Sequence, residues 1–247
     1  MQSPLPLALF LLVTGAAAGS FLALWADRLP RDEGVVLRGS RCRGCGARIG
    51  WRDLVPVLSW LWLGGRCRAC GAAIPRWLWH AELGGVALAA LAILVAPAPA
   101  TMALGALWLW LLMGLALCDL AAMRLPDPLN AALLAAGLGL GALGPGTGAS
   151  LVGAGLGAGA FLAIRLGYHA LRGREGLGLG DVKLMAGIGA GLGWQALPLV
   201  ALAAALAALG VTLALRRGKV ARDAEIPFGA YLCAAAALVW LASAGAV

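Results

Sequence analysis

The sequence predicts an all-α polytopic membrane protein of about eight transmembrane helices with a cytoplasmic zinc-binding loop. Hydrophobic residues make up 62% of the 247-residue chain, 12% are charged, and the mean hydropathy is +0.90. A membrane-spanning helix needs about 20 mostly apolar residues, and the apolar sequence suffices for roughly seven or eight such helices. Small residues, including 37 glycines, are typical of helices that pack closely in lipid. This composition excludes an ordinary soluble domain.

Eight apolar segments are the predicted spans. In chain order they cover residues 5–25, 82–96, 102–118, 130–143, 151–171, 182–192, 197–215 and 227–241. The first segment has no basic residue before it, whereas Arg28 and Arg31 follow it, so it lacks the positive flank of a cleaved signal peptide. We therefore predict an uncleaved first span with its N-terminus outside and its basic flank inside.

Basic residues set the predicted orientation of the other spans. Ten of the 19 Lys and Arg residues are arginines between Arg28 and Arg76, and such clusters mark the cytoplasmic side and contact anionic lipid headgroups. The net charge of +8 is therefore assigned to topology and membrane lipid, not to nucleic acid. Alternation along the chain then places both termini in the periplasm. The predicted units are the first helix at 1–27, the loop at 28–81, and a membrane core at 82–247.

Two Cys-x-x-Cys pairs lie inside the predicted loop, at Cys42 with Cys45 and at Cys67 with Cys70. Each pair is followed by a glycine that permits a tight turn around the metal. Four thiolates at this spacing can enclose one tetrahedral Zn²⁺. Two labile disulfides or four free thiols are the alternatives, and a reducing compartment argues against the disulfides. Segment 55–62, between the pairs, is apolar but short, so we predict that it lies at headgroup depth.

Two aspartates stand at the ends of apolar segments without an evident structural purpose. Asp119 ends the third predicted span, and Asp181 lies in a glycine-rich run at the start of the sixth. An ionisable residue at a membrane span indicates function by default, and the predicted topology places both on the cytoplasmic side. Paired carboxylates can share a proton and hydrolyse an amide by acid–base catalysis. The alternatives are an N-cap role for Asp181 and an ion pair between Asp119 and Arg124.

Five further residues are assigned supporting roles. The glycines would let an extended substrate approach the aspartates. Lys183 is predicted to point away from Asp181 toward the headgroups, Asp127 to cap the fourth span, and Glu82 to cap the second span or line the site. The supporting set is Gly178, Gly180, Lys183, Asp127 and Glu82. Cys118 and Cys233 lie in apolar runs and are predicted to be small core residues.

The run Gly-Leu-Gly-Asp181-Val-Lys183 resembles the GxGD signature of intramembrane aspartyl proteases. Leu125-Pro-Asp127 after Asp119, the two cysteine pairs and the opening Gly19-Ser-Phe21 add to this signature. Together these motifs resemble the type IV leader peptidase family, the bacterial prepilin peptidases, over nearly the whole chain.

This resemblance implies a multi-pass enzyme of the bacterial inner membrane with Asp119 and Asp181 as its catalytic pair. Members cut the basic leader from type IV prepilins and type II secretion pseudopilins, after a glycine at the cytoplasmic face. Many also methylate the new N-terminal amine with S-adenosylmethionine. The resemblance further implies that Cys42, Cys45, Cys67 and Cys70 form the family's zinc site.

The sequence departs from the family pattern at two places. Ala23 replaces the usual asparagine after Gly-Ser-Phe-Leu, and Leu78-Trp79 stands where a Tyr-Pro precedes the glutamate of the second span. Neither departure touches the aspartates, although the first removes a polar group that bears on methyl transfer. The runner-up function is a proton-coupled small-molecule transporter that uses the aspartates as a relay. Transporters often contain two similar halves, and no convincing internal repeat is found here.

Overall fold

The computed structural model describes residues 5–35, 39–96, 98–144, 146–174, 176–215 and 226–244. Regular structure within these ranges is helical, apart from two isolated bridges in the cysteine-containing loop. The α-helices described are α1 Leu5–Arg28, α2 Leu58–Trp62, α3 Arg76–Val95, α4 Pro99–Ala122, α5 Asp127–Leu143, α6 Thr147–Arg172, α7 Leu179–Leu192, α8 Leu197–Leu215 and α9 Phe228–Ala244.

Each predicted span corresponds to one of these helices, and α2 is an additional short helix in the loop. Five of them, α1, α3, α4, α6 and α8, are long and apolar enough to cross a membrane. Helices α5 and α9 have 17 residues each, and α7 has 14, whereas a span needs about 20. The all-α membrane class is confirmed, and the number of spans stays a prediction.

Several helix boundaries differ from the predicted ones. Helix α3 begins at Arg76, six residues before the predicted start at Glu82, because polar side chains do not interrupt the backbone hydrogen bonds of a helix. Glu82 therefore lies inside α3, and its prediction as a helix cap is wrong. Helix α4 continues to Ala122, so Asp119 occupies its last turn.

Helix α4 lies at the centre of the molecule and contacts α1, α3, α5 and α9. Its buried face carries large side chains that are almost fully enclosed, among them Trp108, Leu109, Leu112 and Leu115. Helix α7 packs between α5 and α6. These two packing arrangements bring the C-terminal end of α4 close to the N-terminal end of α7.

Glycines bring several helix pairs into backbone contact. A Cβ atom on Gly85 of α3 would collide with the carbonyl oxygen of Gly15 in α1, and one on Gly153 of α6 would collide with that of Gly189 in α7. Such close approach is how helices associate in lipid. These glycines therefore have a packing role, whereas a Cβ atom on others, such as Gly155, would meet open space.

Candidate active site and metal centre

Asp119 and Asp181 line one pocket of about 500 Å³. The last turn of α4 carries Asp119, and the first turn of α7 carries Asp181. The segment 123–127, which joins α4 to α5, forms another wall of the pocket. The fold thus brings together two carboxyl groups from distant parts of the sequence.

The start of α9 holds the carboxylate of Asp119. This side chain is only 6% exposed, and its Oδ2 accepts a hydrogen bond of 2.8 Å from the N–H of Ala230. The free N–H groups of a helix N-terminus stabilise a carboxylate in this way. Arg124 instead donates to Asp32 at 3.1 Å, so its predicted pairing with Asp119 is wrong.

Sequence reasoning missed Gly229 and Ala230 as neighbours of the aspartate. The available signal was Pro227-Phe-Gly229 directly before an apolar run, which is typical of a helix start. Nothing in that signal indicates what the free N–H groups would bind.

Asp181 is the third residue of α7, whose N-cap is Gly178. Its carboxylate lies close to the backbone of Gly178, at the position that the third residue of a capping box occupies. A Cβ atom on Gly178 would lie 3.3 Å from Asp181 Oδ2. The N-cap prediction for Asp181 is therefore wrong, although its carboxylate does lie beside the start of α7.

Leu125 fixes the spacing between the helix starts around the pocket. A Cβ atom on Gly180 would lie 3.0 Å from Leu125 Cβ, and one on Gly229 would lie 3.0 Å from both Leu125 Cδ1 and Asp119 Oδ2. These contacts are tighter than almost any real Cβ contact. Gly180 and Gly229 therefore let α7 and α9 close around the segment that follows Asp119.

Asp127 and Lys183 form an ion pair at the edge of the pocket, with Lys183 Nζ 2.6 Å from Asp127 Oδ1. Lys183 is thus held by Asp127, and its predicted position among the headgroups stays a prediction. Asp127 is the first residue of α5, with Pro126 as the N-cap, so its prediction as the cap is also wrong. Because both side chains are half exposed or more, the pair adds little to stability.

Glu82 lies away from the aspartates. Its Oε2 accepts a hydrogen bond of 2.7 Å from the N–H of Val57. It lines a separate cavity of about 1690 Å³ between the cysteine-containing loop and α1. The structure therefore brings Gly178, Gly180, Asp127 and Lys183 to the aspartate pocket, but not Glu82.

The four loop cysteines form a cluster that could hold a metal ion, with their sulfur atoms within 4.8 Å of one another. Cys42 Sγ and Cys70 Sγ are 3.8 Å apart, which matches the edge of a tetrahedron with metal–sulfur distances of about 2.3 Å. Both knuckles have the same backbone pattern, and the glycine after each has φ +71°. The donors and their geometry therefore fit a Cys₄ metal site.

The thiols of the cluster differ in acidity. The N–H groups of Cys45 and Gly44 lower the pKa of the Cys42 thiol to about 6. The N–H of Ala72 lowers the pKa of the Cys70 thiol, but the Cys45 thiol and desolvation outweigh this effect and raise that pKa to about 12. The Cys42 thiol thus ionises more readily than the Cys70 thiol, because neighbouring sulfur atoms oppose a second negative charge. A bound cation would offset the repulsion between the negatively charged sulfur atoms.

The two remaining cysteines, Cys118 and Cys233, are buried in the core at 0% and 2% exposure. Their prediction as small core residues is confirmed.

Comparison with known proteins supports the same assignment along the chain. Residues 13–96 match the bacterial peptidase A24 N-terminal domain, and residues 104–213 match the type IV leader peptidase family. The chain is 40% identical over 225 residues to the prepilin leader peptidase/N-methyltransferase of Aeromonas hydrophila, which covers 85% of this chain and 77% of that protein. The protein of the same name from Burkholderia pseudomallei (strain K96243) is 38% identical over 92% of this chain and 83% of that protein. The one from Dickeya chrysanthemi is 34% identical over 93% of this chain and 90% of that protein. No solved structure matches the chain. The chain belongs to the type IV leader peptidase family.

Proposed function

We propose that this protein is a membrane aspartic endopeptidase that removes the basic leader from type IV prepilins or pseudopilins. Cleavage takes place at the cytoplasmic face of the bacterial inner membrane, with both chain termini in the periplasm. The observation that carries this proposal is the shared pocket of Asp119 and Asp181. The names of the relatives support the choice of a prepilin substrate. No observation favours the transporter alternative.

The proposed reaction uses the aspartates as a pair that holds one proton. The charged carboxylate takes a proton from a water molecule, and the protonated one donates to the oxygen of the scissile amide. The N–H of Ala230 donates to the carboxylate of Asp119, and such a donor favours the charged form on this member of the pair. We therefore assign the base to Asp119 and the acid to Asp181.

The rest of the pocket is suited to hold the substrate chain. Gly178 and Gly180 leave the start of α7 without side chains beside Asp181. The exposed ion pair of Asp127 and Lys183 stands at the edge of the pocket. We propose that these four residues support the substrate around the scissile bond, and that residues 28–81 act as a cytoplasmic unit beside the membrane core at 82–247.

Co-expression with one prepilin tests the peptidase activity. We expect the pilin to become shorter by its leader, because hydrolysis leaves a new N-terminus directly after the leader. Electrophoresis gives the size, and mass spectrometry gives the N-terminal residue. A cell that contains the folded enzyme and only full-length prepilin would contradict the proposal.

The second proposed activity is N-methylation of the new N-terminus, with S-adenosylmethionine as methyl donor. The relatives are named N-methyltransferases, and we expect the processed pilin to be one methyl group heavier than its sequence predicts. Ala23, which replaces the family's usual asparagine, is fully buried, and its methyl group offers no polar atom on this face of α1. A bare N-terminal amine in the mass spectrum would remove this second activity and leave the first intact.

We further propose that the metal of the cysteine cluster is zinc and that its role is structural, since four sulfur ligands leave no position for a reacting water. The purified protein should contain about one zinc ion per chain, as measured by elemental mass spectrometry. Cys45→Ser combined with Cys70→Ser should remove it. The matched control is Cys233→Ala, which alters a core cysteine and should retain the metal. An unchanged zinc content in the double variant would exclude this assignment.

A further inference from the structure

We infer that helix α2 is immersed in the cytoplasmic leaflet, where its exposed apolar face contacts lipid acyl chains. The sequence places segment 55–62 at headgroup depth, and the contacts of α2 place it deeper. This inference depends on the membrane position of α1 and α3 and is independent of the proposed peptidase activity.

Three contacts show that the segment 57–65 runs antiparallel along the start of α3. The N–H of Ile74 donates to the carbonyl oxygen of Gly65 at 2.7 Å. Further on, the rings of Trp60 and Trp79 stack with centroids 4.9 Å apart. The last contact is the 2.7 Å hydrogen bond from Val57 to Glu82. Because these contacts are nested, α2 extends along α3 from its start to the level of Glu82.

The level of Glu82 lies well inside the membrane-spanning part of α3. Glu82 is six residues beyond Arg76, which corresponds to about 9 Å along the helix axis. The whole helix has 20 residues, so its length of about 30 Å equals the thickness of the hydrocarbon core. Helix α1 gives an independent measure, because Gly19 packs against the backbone of Ala81 and Glu82. Gly19 lies nine residues before Arg28, or about 13 Å along α1.

The backbone of α2 meets the requirement that hydrocarbon imposes. A polypeptide in lipid must satisfy its N–H groups internally, and those of Leu58, Ser59, Leu61 and Leu63 donate to carbonyl oxygens of the same segment. The N–H of Val57 donates to the carboxylate of Glu82. A loop in water would need no such partner.

The backbone of Val57 is strained in this arrangement. Its φ of 64° and ψ of −53° are unfavourable for a β-branched residue. The hydrogen bond from Leu58 N–H to the carbonyl oxygen of Pro56 closes a γ-turn around it, and such turns with positive φ are strained. Strain of this kind persists only where the surroundings enforce it, and here Glu82 holds the turn.

The outward face of α2 is apolar. Leu58, Leu61 and Trp62 are 54%, 53% and 54% exposed, whereas Ser59 is buried at 8%. The three exposed residues have the i, i+3, i+4 spacing of one helix face.

Basic residues flank α2 in the sequence. Arg52 and Arg66 precede and follow α2 in the chain, and Arg76 starts α3. Arginines at this position interact favourably with anionic headgroups. The depth of α2, its hydrogen-bonded backbone N–H groups and the flanking arginines together indicate that the apolar face contacts acyl chains of the cytoplasmic leaflet.

Photo-crosslinking in nanodiscs of phosphatidylethanolamine and phosphatidylglycerol tests this position. A benzophenone-bearing amino acid replaces Leu58 or Leu61, and mass spectrometry identifies the partner after illumination. We expect lipid adducts at both positions. The control position is Ala69, which is exposed at the tip of the second cysteine knuckle, before α3 begins, and should give none. Cross-links to a second copy of the chain, or to a co-expressed prepilin in place of lipid, would overturn the inference.

Hydrogen exchange in the same nanodiscs separates the role of Glu82. Glu82→Gln retains a side-chain oxygen that can accept the Val57 N–H, whereas Glu82→Ala removes it. We expect slow exchange of the amides of 57–61 in the wild type and in Glu82→Gln, and faster exchange in Glu82→Ala. Fast exchange of these amides in the wild-type protein would show that α2 lies in water.

Discussion

Replacing Asp119 or Asp181 with asparagine will abolish leader cleavage while the protein still inserts and folds. Asparagine has nearly the same shape as aspartate but does not exchange a proton at neutral pH, so each variant loses one half of the proposed acid–base pair. Positioned proton transfer contributes about a hundredfold to ten-thousandfold to a rate, and we expect losses of this size. The measurement is the fraction of a co-expressed prepilin that is processed, with the amount of enzyme in the membrane determined in parallel.

The matched control for this experiment is Asp53→Asn. Asp53 lies in the cysteine-containing loop, where Arg68 donates to its carboxylate and lowers the pKa of Asp53. The pair lies outside the pocket of Asp119 and Asp181, so its loss should leave the proposed catalytic groups in place. We expect cleavage to be retained. Near-normal processing by Asp119→Asn or Asp181→Asn would reject the catalytic pair.

Gly229→Val will also strongly reduce cleavage, although position 229 carries no chemical group of its own. A Cβ atom there would lie 3.0 Å from Asp119 Oδ2, so the start of α9 must move away from the aspartate. The N–H of Ala230 then loses its hydrogen bond to the carboxylate. A displacement of about 1 Å at a catalytic group can reduce a rate about a hundredfold, and we expect a loss of this order in the prepilin assay.

Gly155→Val provides the comparison for Gly229→Val. Gly155 lies within α6, and a Cβ atom there would have no neighbour within 4 Å. The two variants make the same chemical change in a helix, one against Asp119 and one into open space. We expect Gly155→Val to process prepilin normally. Equal activity of the two variants would mean that α9 does not position Asp119.

The features that could be predicted from the sequence are those set by local composition or short spacing. The membrane class follows from hydropathy, and the cysteine cluster follows from two pairs whose spacing within the pair suits a metal. Asp181 was recognisable from its glycine-rich run, and Asp119 from its place at the end of an apolar segment. Each of these signals is contained within a few residues.

The partners of the site residues could not be predicted, because they come from distant parts of the chain. Ala230 donates to Asp119 across 111 residues of sequence, and Lys183 pairs with Asp127 across 56. A single sequence contains no record of which helix ends lie side by side. The start of α3 was misplaced for a different reason, since Glu82 looks like the end of a polar segment although backbone hydrogen bonding continues through it.

The contact between α9 and Asp119 has a consequence for biosynthesis. The N–H group that holds this side chain belongs to a late segment of the polypeptide, which leaves the ribosome after both acidic residues have entered the bilayer. A nascent chain therefore carries an incomplete centre until its last described helix is inserted. The proposed centre is thus completed only once α9 has packed against the end of α4.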